Sequence, residues 1–553
     1  MLGRLSASIG FVLLCVFGAV VGFAAEENEG SDGDGIPLTV PKAVCGPEDH
    51  PETGLQGQVP AALRAAGFQG FNCNLKLIGH SRNDGGNWQS AEFKERRQAV
   101  SDSEDASRED AKPLHVCGYY GSQSPGLSLK TRDPTTYGVR VVDVTHAKEP
   151  TLTGYLQTSA MLDPWESLKV NERRQLLVAD QGTNGGGGPS VDVYDVSEDC
   201  RSPQLIATAA IGTGTDGGTL APVTPIGHEG AFAPDGLTYY VGDTTNRMYH
   251  AVDLSDPTKP NHIATFDMKT LLLQKPDVTG DMRLRAHGLS VSDDGNRLYV
   301  TTPGLGTPLA DFANSNIVGS NGFVILDTSE VQARLPNPQI KVISEFLFKD
   351  GAYAQHTIPV SIRGRPYIIH VDEAGSTALT GLAGACSANT APFPMARIVD
   401  ISDETKPKLV SKLVLEMNVP ANCANVLPDL VGVSGFTYGT HYCSVDNLHN
   451  ATTLACGMFN SGIRVFDIRN PRRPKEIAYY NPAGVTTPSL GSNHQTFDNF
   501  AVGQPDWCSA QVHLDAERGT LWTTCQDNGL LVLKFERGVW PFANSTTPAG
   551  EQN

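Results

Sequence analysis

The sequence predicts an all-β fold: a seven-bladed β-propeller, closed by an N-terminal strand that completes the last blade. Two observations carry this expectation. One unit recurs along the chain, a β-branched run followed by an aspartate, turn residues and a proline. A second hairpin pattern precedes each copy, as in "HGLSVSDDGNRLYVTT" at 287–302, where "DDGN" supplies the turn.

The copies read "GVRVVDVTHAKEP" at 138–150, "SVDVYDVSEDCRSP" at 190–203, "MYHAVDLSDPTKP" at 248–260 and "GFVILDTSEVQARLPNP" at 322–338. They continue with "MARIVDISDETKP" at 395–407 and "GIRVFDIRNPRRP" at 462–474. All six carry the aspartate: Asp143, Asp195, Asp253, Asp327, Asp400 and Asp467. Each is expected to cap a tight turn with its side chain. A degenerate seventh copy, "GLLVLKF" at 529–535, has Lys534 in that place. Four short strands in each of seven repeats make a propeller. The seventh unit lacks a fourth strand, and "NLKLIGHS" at 74–81 has the pattern to supply it. Closure of that kind removes a free sheet edge.

The chain divides into a leader at 1–25, a polar lead-in and N-terminal extension at 26–69, the propeller at 70–536 and a tail at 537–553. Arg4, an apolar run from Gly10 to Phe23, and Ala24–Ala25 form a signal-peptide pattern. This predicts a secreted, periplasmic or extracellular protein with no membrane span once the leader is removed. Of eleven cysteines, only Cys15 lies in the leader. The even remainder predicts disulfides. Cys443 with Cys456, and Cys508 with Cys525, flank hairpins symmetrically. Cys45 with Cys73 and Cys386 with Cys423 are paired by proximity, and Cys117 is left for a neighbouring blade. The charged segment 92–112 reads as a solvated insertion. A net charge of -18 argues against nucleic acid as a partner, because phosphates need a basic face.

The "RVVDV", "RIVDIS" and "RVFDI" cores, each followed by proline, resemble the LVIVD-repeat propellers over roughly residues 70–536. The resemblance implies the fold and leaves the function open.

Chemistry enters with the histidines. His228, His287 and His356 each stand eight residues before a glycine, Gly236, Gly295 and Gly364. That offset puts them at the start of the innermost strands of blades three, four and five. His441 aligns there in blade six with a one-residue slip. In blade seven Gln511 is equivalent, with His513 two residues on and therefore on the same face. Trp165–Glu166 is the matching neighbourhood in blade two. Imidazoles from adjacent blades are expected to converge at one mouth of the channel. There they would hold an iron, copper or zinc ion, with Glu229 orienting a ligand or acting as a base. Asp180, Asp243, Asp372 and Glu373, at the ends of second strands, would edge the same channel. His370 and His494 are the next candidates.

Two functions follow. One is an exported metal-dependent oxidoreductase or lyase acting on a small or apolar molecule in the channel. The other is a non-catalytic binding or cell-surface scaffold that meets a protein partner through its loops, with each histidine fixing its own blade. No nucleophile elbow, zinc-protease helix or Walker loop appears.

Overall fold

The structure is a computed structural model. It describes residues 39–542, apart from 83–84, 87, 96–113, 122–136, 182–190, 210–226, 273–280, 282, 304–320, 349–352, 374–378, 388, 431–435, 490–491, 493 and 495–502. The leader and the glycine run at 183–190 lie outside the described residues.

Seven antiparallel sheets form the seven blades of the predicted propeller. Five are built from four strands in sequence order, which is what a string of tight hairpins produces. The innermost strands are Ser90–Glu95, Lys169–Asn171, Gly227–Phe232, Leu289–Val291, Ala354–Ile362, Thr440–Val445 and His513–Asp515. Each of the first six touches the next around the axis. Ser90 Oγ closes the circle, 2.9 Å from His513 Nε2 and 3.2 Å from the Gln511 carbonyl.

The ring closes as expected. Leu75–Ser81 pairs antiparallel with Gly529–Phe535 and supplies the outer strand of blade seven. Just before it, Phe71–Cys73 adds a fifth strand to the outer edge of blade six. The N-terminal segment therefore straddles blades six and seven. Further back it is clamped by Arg464, a guanidinium 2 % exposed that pairs with both Glu52 and Glu476. Gln56 donates to Glu476 as well, at 3.0 Å.

All six repeated aspartates do one job. Asp143, Asp195, Asp253, Asp327, Asp400 and Asp467 each end a third strand and accept the backbone N–H two residues on, at 2.8–3.1 Å. The β-branched runs beside them fill the space between blades, as Ile369, Val371, Ile398 and Phe466 do between blades five and six.

Five disulfides form: Cys45–Cys73, Cys117–Cys200, Cys386–Cys423, Cys443–Cys456 and Cys508–Cys525. Cys117–Cys200 joins blade one to blade two. One expectation needs correction. The charged run beginning at Glu92 starts as part of the innermost strand of blade one, not as an insertion. Glu92 is half-buried there, accepting the indole N–H of Trp522 at 2.6 Å and pairing with Lys94. The rest of that run lies outside the described residues.

Candidate metal centre at the channel mouth

Inner strands begin, and second strands end, at one mouth of the channel. Three of the five predicted histidines meet there around two glutamates. Glu166 leads into the inner strand of blade two, and Glu373 directly follows the second strand of blade five. His228 Nε2 lies 3.0 Å from Glu166. His441 Nε2 lies 3.2 Å from Glu166 and 3.2 Å from Glu373. His287 Nε2 lies 3.4 Å from Glu373. The His228 and His287 rings are 4.3 Å apart.

Backbone irregularities aim these side chains. In blade three the ladder slips between Gly227 and Glu229, so His228 is the extra, unpaired residue. In blade six it slips between Thr440 and Cys443, over His441 and Tyr442. In blade five it slips between Ala354 and His356, and the extra residue is Gln355. A β-bulge redirects its side chain out of the regular alternation. Each of these bulge residues reaches Glu166: His228 and His441 as above, Gln355 by donating at 2.8 Å, and Tyr442 by donating its hydroxyl at 3.3 Å.

His356 is therefore one place too late. It stays on the ladder, stacks on Tyr442 at 4.7 Å and sits 3.3 Å from the Cys443 carbonyl, between blades five and six. His513 also lies outside the cluster, stacked on Trp522 at 4.1 Å and bonded to Ser90. His370 pairs with Asp372 inside blade five, and His494 with Asp527 in blade seven. Asp372 is spent on Arg397, and Asp180 receives the Tyr239 hydroxyl at 3.3 Å. Asp243 holds the Asn246 side chain at 2.7 Å.

The second ring nitrogens are fixed too. His287 Nδ1 is 3.2 Å from the Gln355 carbonyl, and His441 Nδ1 is 2.9 Å from the Ser509 carbonyl. An Nδ1–H bonded to a backbone carbonyl turns Nε2 towards the carboxylates, the orientation of a metal-ligating imidazole once that nitrogen is deprotonated. Gly288 leaves room for this. A Cβ there would collide with the Gln355 carbonyl and with Glu229.

Charge is concentrated at the cluster. Burial opposes a protonated His441, yet its hydrogen bonds to Glu166 and Glu373 outweigh that and push it up to about 10. His228 is likewise raised by Glu166 against burial. Burial, and then the charge on His228, press His287 down to about 4. Burial works to raise Glu166, but His228 and His441 hold it well below the usual carboxylate range. Glu229, one residue past His228, is pushed up to about 7 by burial, against the pull of Lys169 at 3.5 Å.

The opposite side of the mouth is aromatic. Trp88 lies 5.1 Å from His441, and Trp165 lies 5.6 Å from His228. Trp507, Phe436 and Phe459 complete this cluster. Trp165 and Tyr353 both hold left-handed backbone, at φ 47 and φ 57, which is uncommon for bulky side chains and concentrates at functional sites. Tyr353 packs 5.1 Å from His287.

Sequence reasoning noted Glu166 and Glu373 only as neighbours of the channel. Their signal was position: Glu166 stands where blade two matches the histidines, and Glu373 at the end of a second strand. Gln355, Tyr442 and Trp88 gave no signal, because a bulge is invisible in an alternating pattern.

The LVIVD repeat family matches residues 397–413, so the chain carries an LVIVD repeat. No curated protein matches the chain. Among solved structures, a putative 6-phosphogluconolactonase from Bacteroides uniformis is similar, with 11% identity, a TM-score of 0.47, and coverage of 78% of this chain and 95% of that one. The periplasmic gluconolactonase of Pseudomonas aeruginosa gives 10% identity and a TM-score of 0.43, covering 75% of this chain and 98% of that one. A protein from Lactobacillus plantarum gives 13% and 0.44, covering 73% and 87%. Likeness at this level carries no argument about chemistry.

Proposed function

We propose that the chain is an exported metal-dependent enzyme, with redox or lyase chemistry on a small apolar molecule at the channel mouth. The observation that supports this is the convergence of three imidazole Nε2 atoms and two carboxylates at separations of 3.0–3.4 Å. Bonds of ~2.0–2.2 Å to one ion place neighbouring donors roughly 3.0 Å apart in an octahedron and roughly 3.4 Å apart in a tetrahedron. The donors fall into two triads that share Glu166, Glu166–His228–His287 and Glu166–Glu373–His441, each with its donor atoms within 4.8 Å of one another, and either triad is a proposed ligand set. Imidazole with carboxylate suits iron, copper or zinc. Such an ion, when bound, supplies Lewis acidity or a redox couple. Glu229 and Lys169, beside the centre, are the groups available to move a proton. The five disulfides support export, since cytosolic thiols are kept reduced.

One observation favours a second reading, a non-catalytic scaffold. The His441–Glu166 and His441–Glu373 pairs are complete without a metal, as the upward shift of His441 expresses. The cluster would then be an ion-pair network fastening blades two to six.

Elemental analysis separates the two. The enzyme reading expects about one iron, copper or zinc per chain, lost in a folded His228→Ala, His441→Ala variant. Absence of metal in the native protein, with no uptake of added zinc, iron or copper, would sink it.

A further inference from the structure

The histidines occupy blades three, four and six, whereas blades seven, one and two bring tryptophans to the same mouth. Trp88 precedes the inner strand of blade one, Trp165 that of blade two, and Trp507 that of blade seven. Trp88 is the centre of this wall. Its ring lies 5.1 Å from His441, 5.6 Å from Phe436, 6.1 Å from Trp507, 6.2 Å from Phe459 and 6.5 Å from Trp165. It is 3 % exposed, and its indole Nε1 is buried with no hydrogen-bond partner among the described residues. The next residue, Gln89, is 1 % exposed and neither atom of its amide has a partner among the described residues.

Buried donors are almost always paired, and an unpaired one is costly. An indole buried for packing alone usually finds a carbonyl for its N–H. Here the unpaired N–H belongs to the ring that touches a proposed metal ligand. A site with apolar walls and few polar groups is the ordinary composition of a small-molecule site.

We propose that this wall is the substrate-contact face of the centre. It would take a small aromatic molecule bearing one hydrogen-bond acceptor, to which Trp88 Nε1–H donates while the ring packs against the neighbouring indoles. The aromatic face supplies affinity through offset and edge-to-face contacts. The buried N–H supplies specificity, because a ligand without an acceptor leaves it unpaired. The proposal rests on the metal-centre reading for its setting, and Trp88 acts in it as a specificity-determining residue.

The test compares three probes by calorimetry on the full chain loaded with zinc: acetophenone, its near-isostere cumene, which has no acceptor, and acetone, which has no ring. Acetophenone should bind about 10-fold more tightly than either, the range expected for pairing one buried donor. Trp88→Phe keeps a ring and removes the N–H, so the advantage over cumene should fall to about 2-fold or less. The wild-type comparison needs no variant, so a misfolded Trp88→Phe would not leave the matter open. Equal binding of acetophenone and cumene, no binding of either, or a preference that survives in folded Trp88→Phe would overturn the proposal. Metal content is measured on the same samples. Stoichiometric zinc without ligand preference removes the aromatic wall and leaves the metal centre. Ligand preference without zinc uptake removes the metal centre and leaves the wall.

Discussion

The two rims of the propeller treat a repeated residue in opposite ways. On the rim where third strands end, six aspartates at one repeat position share the same contact, a hydrogen bond from the N–H two residues on. On the rim where inner strands begin, histidines at one repeat position diverge. His228 and His287 join the glutamate cluster, while His356 turns to the blade interface. The aspartate's partner lies within its own turn, so the local sequence fixes the contact. The histidine's partners lie on other blades, so a one-residue bulge decides whether it reaches them. A repeat thus transmits position faithfully and direction only where the target is local.

The comparison can be broken most severely at Glu166, which four side chains from three other blades address. Glu166→Ala leaves buried imidazoles without their counter-charge, and about 3–5 kcal/mol of stability should be lost. Urea unfolding at pH 7 checks this, and a loss under about 1 kcal/mol would mean that the mouth is not electrostatically coupled.

The histidine that missed the cluster gives the next effect. Burial presses His356 down to about 3, with Lys169 adding to it. Its folded value lies below the unfolded one, so the protein holds this stability above pH 6.5 and loses it as pH falls towards 3. The loss should be on the order of 3 kcal/mol by pH 4. Unfolding midpoints at pH 7, 5 and 4 should fall less steeply in His356→Gln than in the native protein. Parallel slopes would mean that His356 does not titrate in this window.

A smaller effect is expected from Cys443–Cys456, which closes a 13-residue separation beside His441. Replacing both cysteines by serine should cost about 2–3 kcal/mol by thermal melt. At the far rim the effect is least. Asp195→Ala should cost ~1 kcal/mol, one turn hydrogen bond, and leave metal content unchanged. A change in metal content there would show that the two rims are linked.

Much of this was legible beforehand for a physical reason. Hairpins, turn aspartates and cysteines flanking a turn are short-range features, and residues 74–81 carry a strand pattern that only one incomplete blade can use. The glutamates at the mouth were visible as neighbours of the channel, without their role. The aromatic wall was not visible, because Trp88, Trp165 and Trp507 are far apart in sequence and share no offset.

The sequence by itself determined seven blades, their closure and the capped turns. Each of these is set by periodicity and by contacts a few residues long. Only the tertiary structure decided which residues face one another at the channel mouth. That choice depends on bulges in three inner strands, and on the charges, carbonyls and rings that neighbouring blades bring within about 3–6 Å.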